Sequence, residues 1–237
     1  MRKDSGKPRQ WFVPLLAGAT FRDRLLACLG AAIGIALTIV ICAWFPMTAA
    51  ALPIIVAPIG ASAVLVFAVP ASPLAQPWPV LGGNVISTLV GVVAAHAVPN
   101  IPLAAGIAVC GAILAMSLLR CLHPPGGAAA LTAVIGGPAI HAAGYTFAFA
   151  PVGLNSIALL VMAIVFHRIS GHSYPHRPAL QPKERTAIRE AAGFHAEDID
   201  KALADLPDTF DISREDLDLL LSRAEVHALE RRTNKEP

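Results

Sequence analysis

Between Leu25 and Phe166, a stretch of 142 residues, the chain carries one formally charged side chain, Arg120. A soluble domain of that size needs polar groups all over its surface, and a single arginine cannot supply them. The stretch must therefore be solvated by lipid, which makes the chain an integral membrane protein. The whole chain is 14% charged, against roughly 25% in soluble domains, and 55% hydrophobic, with a mean hydropathy of +0.62. Almost all of that charge lies before the stretch or after it. The leader, residues 1–24, lacks a long apolar core and keeps returning to basic residues, so it reads as cytosolic rather than as a signal peptide. Cys28, Cys42, Cys110 and Cys121 form no CxxC and read as buried apolar residues, not disulfides or metal ligands. No cofactor is implied, and the net charge of +2 gives no sign of nucleic-acid binding.

A spanning helix needs about 20 apolar residues. Leu25–Phe45, Val80–Val98, Leu103–Leu119 and Tyr145–Phe166 meet that requirement, and Thr48–Val69 also fits but carries Pro53 and Pro58. A sixth apolar run, Gly127–Ile140, follows "LLRCLHPPGG". The predicted fold is all-α, a polytopic bundle at 25–167 with a linker at 168–182 and a soluble helical tail at 183–237. Arg2, Lys3, Lys7, Arg9, Arg22 and Arg24 precede the first span, and His167, Arg168 and Arg177 follow the last. Both termini are therefore expected in the cytoplasm, with the bundle in the inner (plasma) membrane, and the number of crossings must be even. Four or six fit, and Arg120 tilts the balance toward six.

The bundle repeats itself. "PIGASA" at 58–63 matches "PGGAAA" at 125–130, and "VLGGNVISTLV" at 80–90 matches "PVGLNSIALLV" at 151–161. Two units, about 25–98 and 101–167, each consist of a plain span, a broken segment and a span opening on G-x-N. Three crossings per unit would invert one against the other, a common transporter plan. Prolines and glycines at membrane depth are tolerated only where protein or a water-filled cavity surrounds them. Pro124 and Pro125 cannot donate, and a new helix beginning near Ala128 would aim its free amides and positive end at whatever precedes it. Gly126 and Gly127 would leave amides uncovered there. Pro58, Gly60 and Ala61 would supply a second such terminus, and together these ends would hold a small anion.

"LHPPGGAAAL" at 122–131, together with "APIGASAVLVFAVPASPLAQPWPVLGGNVIS" at 57–87, resembles the HPP family of integral membrane proteins over roughly residues 15–170. The resemblance implies a multi-span domain, usually with four predicted helices, and a link to nitrite transport through plastid and cyanobacterial members. The motif residues His123, Pro124, Pro125 and Gly126 are intact. Many bacterial members continue into paired CBS domains. This chain stops at Pro237 and is expected to be a short or truncated form.

Several residues have two readings. His123 senses protons, donates to an anion, or caps the break. Asn84 and Asn155 line a pathway or join helices. Arg120 draws anions or marks the positive-inside side. Ser62, Ser87 and Thr132 suit a polar path or bond to their own helices. His96 and His141 sit at span ends. In the tail, helices are predicted at Lys183–Ala192, Ala196–Ala204 and Ser213–Arg231, the last with an apolar stripe that suggests docking against another subunit, as a homo-oligomer, or against the membrane face. The predicted substrate-binding set is His123, Pro124, Pro125, Gly126, Gly127, Ala128, Pro58, Gly60, Ala61, Ser62, Asn84, Asn155 and Arg120. The expected function is a transporter or channel for a small inorganic anion such as nitrite, the alternative being a sensor or anchor signalling through the tail. With no Asp or Glu from Leu25 to Phe166, and no HExxH, an enzyme is not expected.

Overall fold

The structure is a computed structural model that describes residues 20–45, 52–177, 195–206 and 210–233. The described residues form helices and no strands. The leader before Thr20 and the predicted helix at Lys183–Ala192 lie outside them.

Helix α1, Phe21–Ala43, starts where a polar cap meets an apolar run. Asp23 N–H donates to Thr20 Oγ1 at 3.3 Å, and Asp23 Oδ2 accepts from Thr20 N–H at 2.8 Å. α2, Pro58–Ala68, α3, Pro77–Ala97, and α5, Pro124–Ile135, all open on proline, whose missing N–H costs nothing in a first turn. α4, Ile101–Leu118, is capped by Asn100, whose Oδ1 accepts from Leu103 N–H at 3.0 Å. After the short α6, Pro138–Ala143, a wide turn at Ala148–Gly153 carries non-helical backbone at Ala150 and leads into α7, Leu154–Ser170. α7 ends on Gly171 in the left-handed region, φ 78°. The tail contributes α8, Ala196–Ala204, and α9, Arg214–Thr233.

Contacts fix the direction of each helix. Asn155 at the start of α7 bonds to Ile54 and Val56 just before α2, and to Cys42 at the end of α1. At the opposite end, His167 Nε2 donates to Val66 O at 2.9 Å, and the Phe67 ring lies against Gly30 and Gly34 of α1. α2 therefore runs against α1 and alongside α7. α4 runs against α3, since Val90 meets Gly111 and Gly83 meets Met116. α5 runs alongside α3, since Gly83 meets His123 and Gly91 meets Ala130. The chain thus passes back and forth six times. The end of the bundle where α1 begins, here the near face, also receives the end of α7.

The passes are unequal. Four helical stretches are long and apolar enough to cross a bilayer: Phe21–Ala43, Pro77–Ala97, Ile101–Leu118 and Ala148–Ser170. α2 and α5 have 11 and 12 residues. At 1.5 Å per residue they cover about half of a ~30 Å hydrocarbon core. Both short helices fall in the segments read from the sequence as broken, Thr48–Val69 and the apolar run that follows "LLRCLHPPGG". Non-helical backbone precedes each of them, at 52–57 and at 119–123.

Two apolar clusters result. One joins Val56, Ile59, Val66 and Phe67 to Phe147, Leu159 and Ala163, gathering α1, α2 and α7. The other joins Ala94 to Ala104, Ala108, Ala112, Met116, Cys121 and Ala130, gathering α3, α4 and α5. Lipid tails are as apolar as leucine, so close packing and interhelical hydrogen bonds must hold such helices together. A Cβ placed on Gly91 would sit 2.3 Å from Ala130 O, so α3 and α5 touch backbone to backbone there. Of the four cysteines, Cys42 and Cys121 are buried as expected, whereas Cys28 and Cys110 are exposed on outward helix faces, where lipid rather than protein covers them.

Candidate functional site

The buried polar side chains cluster where the two apolar clusters meet. His123 stands at the N-cap position of α5, its side chain making no capping bond there, and has no exposed surface. Its Nδ1 lies 2.8 Å from Leu74 O, and its Nε2 lies 2.8 Å from Ser62 Oγ. A carbonyl only accepts, so Nδ1 carries the proton and Nε2 accepts from the Ser62 hydroxyl. Asn84 Nδ2 donates to Ser62 Oγ and to Ser156 Oγ, both at 3.2 Å. The Ser156 hydroxyl passes on to Val152 O at 2.9 Å. One polar seam therefore joins α2, α3, α5 and α7.

The seam is not fully satisfied. Asn84 Oδ1 and Ser87 Oγ are buried, and among the described residues neither finds a partner. They lie about one turn apart on α3. A Cβ on Gly126 would meet Ser87 Oγ at 2.7 Å and Gly83 O at 2.8 Å, so α5 is seated directly over them. Buried amide and hydroxyl oxygens of this kind cost about 1–3 kcal/mol each when unpaired.

The helix ends differ from expectation. α5 begins at Pro124, not near Ala128, and Gly126 N–H donates to His123 O at 2.8 Å. With prolines at the first two positions, little of the usual set of free amides remains. At α2, Ile59 N–H and Gly60 N–H donate to Val56 O and Ala57 O, both at 3.0 Å. Both ends keep a positive dipole but offer few free donors.

The predicted residues separate accordingly. Ser62, Asn84, His123, Pro125 and Gly126 are brought together and buried. Pro124, Ala128, Gly60 and Ala61 are exposed, and Gly127 is half-buried. Pro58 is buried and its carbonyl lies 3.2 Å from Ser62 Oγ. Asn155 is buried away from His123, with Oδ1 accepting from Val56 N–H at 3.0 Å and Nδ2 donating to Ile54 O at 2.8 Å. Arg120 is exposed on the near-face turn, with φ at 54°, a left-handed conformation that costs a non-glycine residue energy. Thr132 bonds its own helix at Ala128 O. His96 and His141 bond to Val92 O and Val134 O and border a cavity of about 160 Å³ at the far end.

Sequence reasoning missed Ser156, Ser87 as an unpartnered group, and the Leu74 carbonyl. The residues by which the linker and tail hold the near face were not singled out in the sequence either. Tyr174 Oη donates to Ala75 O at 2.8 Å, His176 N–H donates to Gln76 Oε1 at 2.9 Å, and Ser72 Oγ donates to Asp211 Oδ1 at 2.8 Å. His176 Nε2 lies 3.0 Å from Asp216 Oδ2. Burial raises the Tyr174 phenol above its ordinary value, which keeps it a neutral donor. A cavity of about 720 Å³ lies at this junction, bordered by Arg24, Phe67, His167, His172 and Asp211. Among the described residues no group of three or more His, Cys, Asp or Glu could hold a metal ion.

Comparison with known proteins fits this architecture. Two transmembrane proteins of Dictyostelium discoideum are similar. One is 36% identical over 131 residues, covering 53% of this chain and 46% of its own length. The other is 35% identical over 114 residues, covering 46% of this chain and 36% of its own. The chain thus spans less than half the length of either relative. No solved structure matches. The family model described as the HPP transmembrane region matches residues 17–175, most of the chain and the whole of the six-pass bundle, and the chain belongs to that family.

Proposed function

We propose that the bundle is a transporter or channel for a small inorganic anion, nitrite-like in size and charge, which passes along the seam at His123, Ser62 and Asn84. The observation that carries this reading is the seam itself, a buried polar line with two unpartnered groups between two apolar clusters. A protein that only anchored a tail would gain nothing from that cost. Anion chemistry is favoured over cation chemistry. The intramembrane stretch holds no carboxylate, and the positive ends of α2 and α5 lie beside Ser62 and His123. Because the first-turn amides are already paired, the seam side chains rather than a backbone nest would receive the anion.

The opposed directions of α1–α2–α3 and α4–α5–α7 support an inverted pair of units, each lending its last helix to the other's cluster. In this reading both termini face the cytoplasm across an inner membrane. The test is flux of nitrite and related oxyanions into proteoliposomes. His123→Ala and Ser62→Ala should each lower flux at least about tenfold while the protein stays folded. Unchanged flux in His123→Ala, or no flux of any anion through folded wild-type protein, would overturn the reading. The docking of the tail on residues 72–76 favours a second reading, a sensor that reports through the tail without transport.

A further inference from the structure

Four hydrogen bonds lead from the soluble tail to the His123 centre. The Asp211 carboxylate accepts from Ser72 Oγ at 2.8 Å. Ser72 Oγ in turn accepts from Leu74 N–H at 3.1 Å, which closes the short 3-10 turn at Pro73–Ala75. Leu74 O accepts from His123 Nδ1 at 2.8 Å, and His123 Nε2 accepts from Ser62. Ser72 is buried while Asp211 is exposed, so the link starts at the solvent surface and ends in the core. Two parallel ties hold the same loop, from Tyr174 to Ala75 and from His176 to Gln76.

The inner end of this line has two possible arrangements. With Leu74 O in place, His123 is protonated on Nδ1 and the Ser62 hydroxyl points to Nε2. If Leu74 O withdraws, the proton is better placed on Nε2. His123 then donates to Ser62 Oγ, and the Ser62 hydroxyl turns to Pro58 O, already 3.2 Å away. That turn reverses the hydrogen bond Ser62 shares with His123, on the atom to which Asn84 donates.

We propose that the tail is the positioning element of the His123 centre: Asp211, through Ser72 and the Leu74 carbonyl, selects the His123 tautomer and so the direction in which the seam donates. The importance of that selection for transport rests on the function proposed above, but the selection itself can be tested without flux. Full-length protein with ¹⁵N-labelled histidine, in lipid bilayers, reports the tautomer of each imidazole by NMR, and His123→Asn assigns the signal. Wild-type protein should show His123 with Nδ1 protonated. Asp211→Ala and Ser72→Ala should each raise the Nε2-protonated fraction, relative to Nδ1, about tenfold, the scale expected for losing one charge-assisted bond. Asp211→Asn keeps an acceptor and should restore most of the wild-type ratio, and His227→Gln, far along α9, should leave it alone. An unchanged His123 signal in both Asp211→Ala and Ser72→Ala overturns the proposal, even if those variants alter flux. A shifted signal in a protein that carries no anion supports this proposal and removes the transport reading instead.

Discussion

The two broken segments differ in how completely their polar groups are used. Before α2, the Asn155 amide bonds Val56 N–H, Ile54 O and Cys42 Sγ, so both ends of the side chain are engaged. The segment before α5 meets α3 through glycines, and the matching amide, Asn84, leaves its oxygen without a partner. The Asn155 arrangement is a brace. The Asn84 arrangement holds hydrogen-bonding capacity in reserve, next to a histidine that can exchange donor for acceptor. Two amides in matching stretches of sequence, 80–90 and 151–161, are thus engaged differently.

Packing offers the severest way to break the comparison. Gly91→Val should abolish the folded state or cost well over ~3 kcal/mol, because its side chain would be driven into the Ala130 backbone. Thermal unfolding in detergent should show no transition like that of wild type. Next, Asn155→Ala should cost about 2 kcal/mol, three interhelical bonds at about 0.6 kcal/mol each, read by the same melt. Asn84→Leu should cost about 1 kcal/mol or less, since half of that amide already goes unpaired. If Asn84→Leu proves as damaging as Asn155→Ala, the distinction between brace and reserve is wrong.

Tyr174→Phe should cost about 1 kcal/mol near neutral pH through loss of the bond to Ala75 O. It should also remove a pH dependence. The folded phenol titrates above its unfolded value, so its stabilisation is fully present below about pH 10 and is lost as the pH rises from there. Stability measured by unfolding from pH 8 to 11 should fall more steeply in wild type than in Tyr174→Phe. Smallest of all, Gly60→Ala should change stability by under ~0.5 kcal/mol, because the space around Gly60 is open.

Much of this was legible in the residues. The charge gap from Leu25 to Phe166 implied lipid, and the Pro-Gly repeats marked both breaks, since those residue types act on their own backbone. The start of α5 was misread by four residues because proline fits a first turn as readily as it ends a helix. The Nδ1 partner of His123 was not legible at all. It is the Leu74 carbonyl, 49 positions away, and a backbone acceptor carries no residue-type signal. The contrast between Asn84 and Asn155 was hidden for a related reason. Their flanking sequences match, and only the approach of α5 decides which amide is satisfied.

The second apolar cluster is built mostly of alanine, with Met116 and Val134 its largest members, while the first contains Phe67, Phe147 and Leu159. Large rings interlock like gear teeth, and displacing them means lifting each from its slot. A wall of methyl groups has almost no relief, so one slab can glide along another while few rotamers change. If any part of this bundle shears during a working cycle, the smooth contact made by α3, α4 and α5 is where friction is lowest.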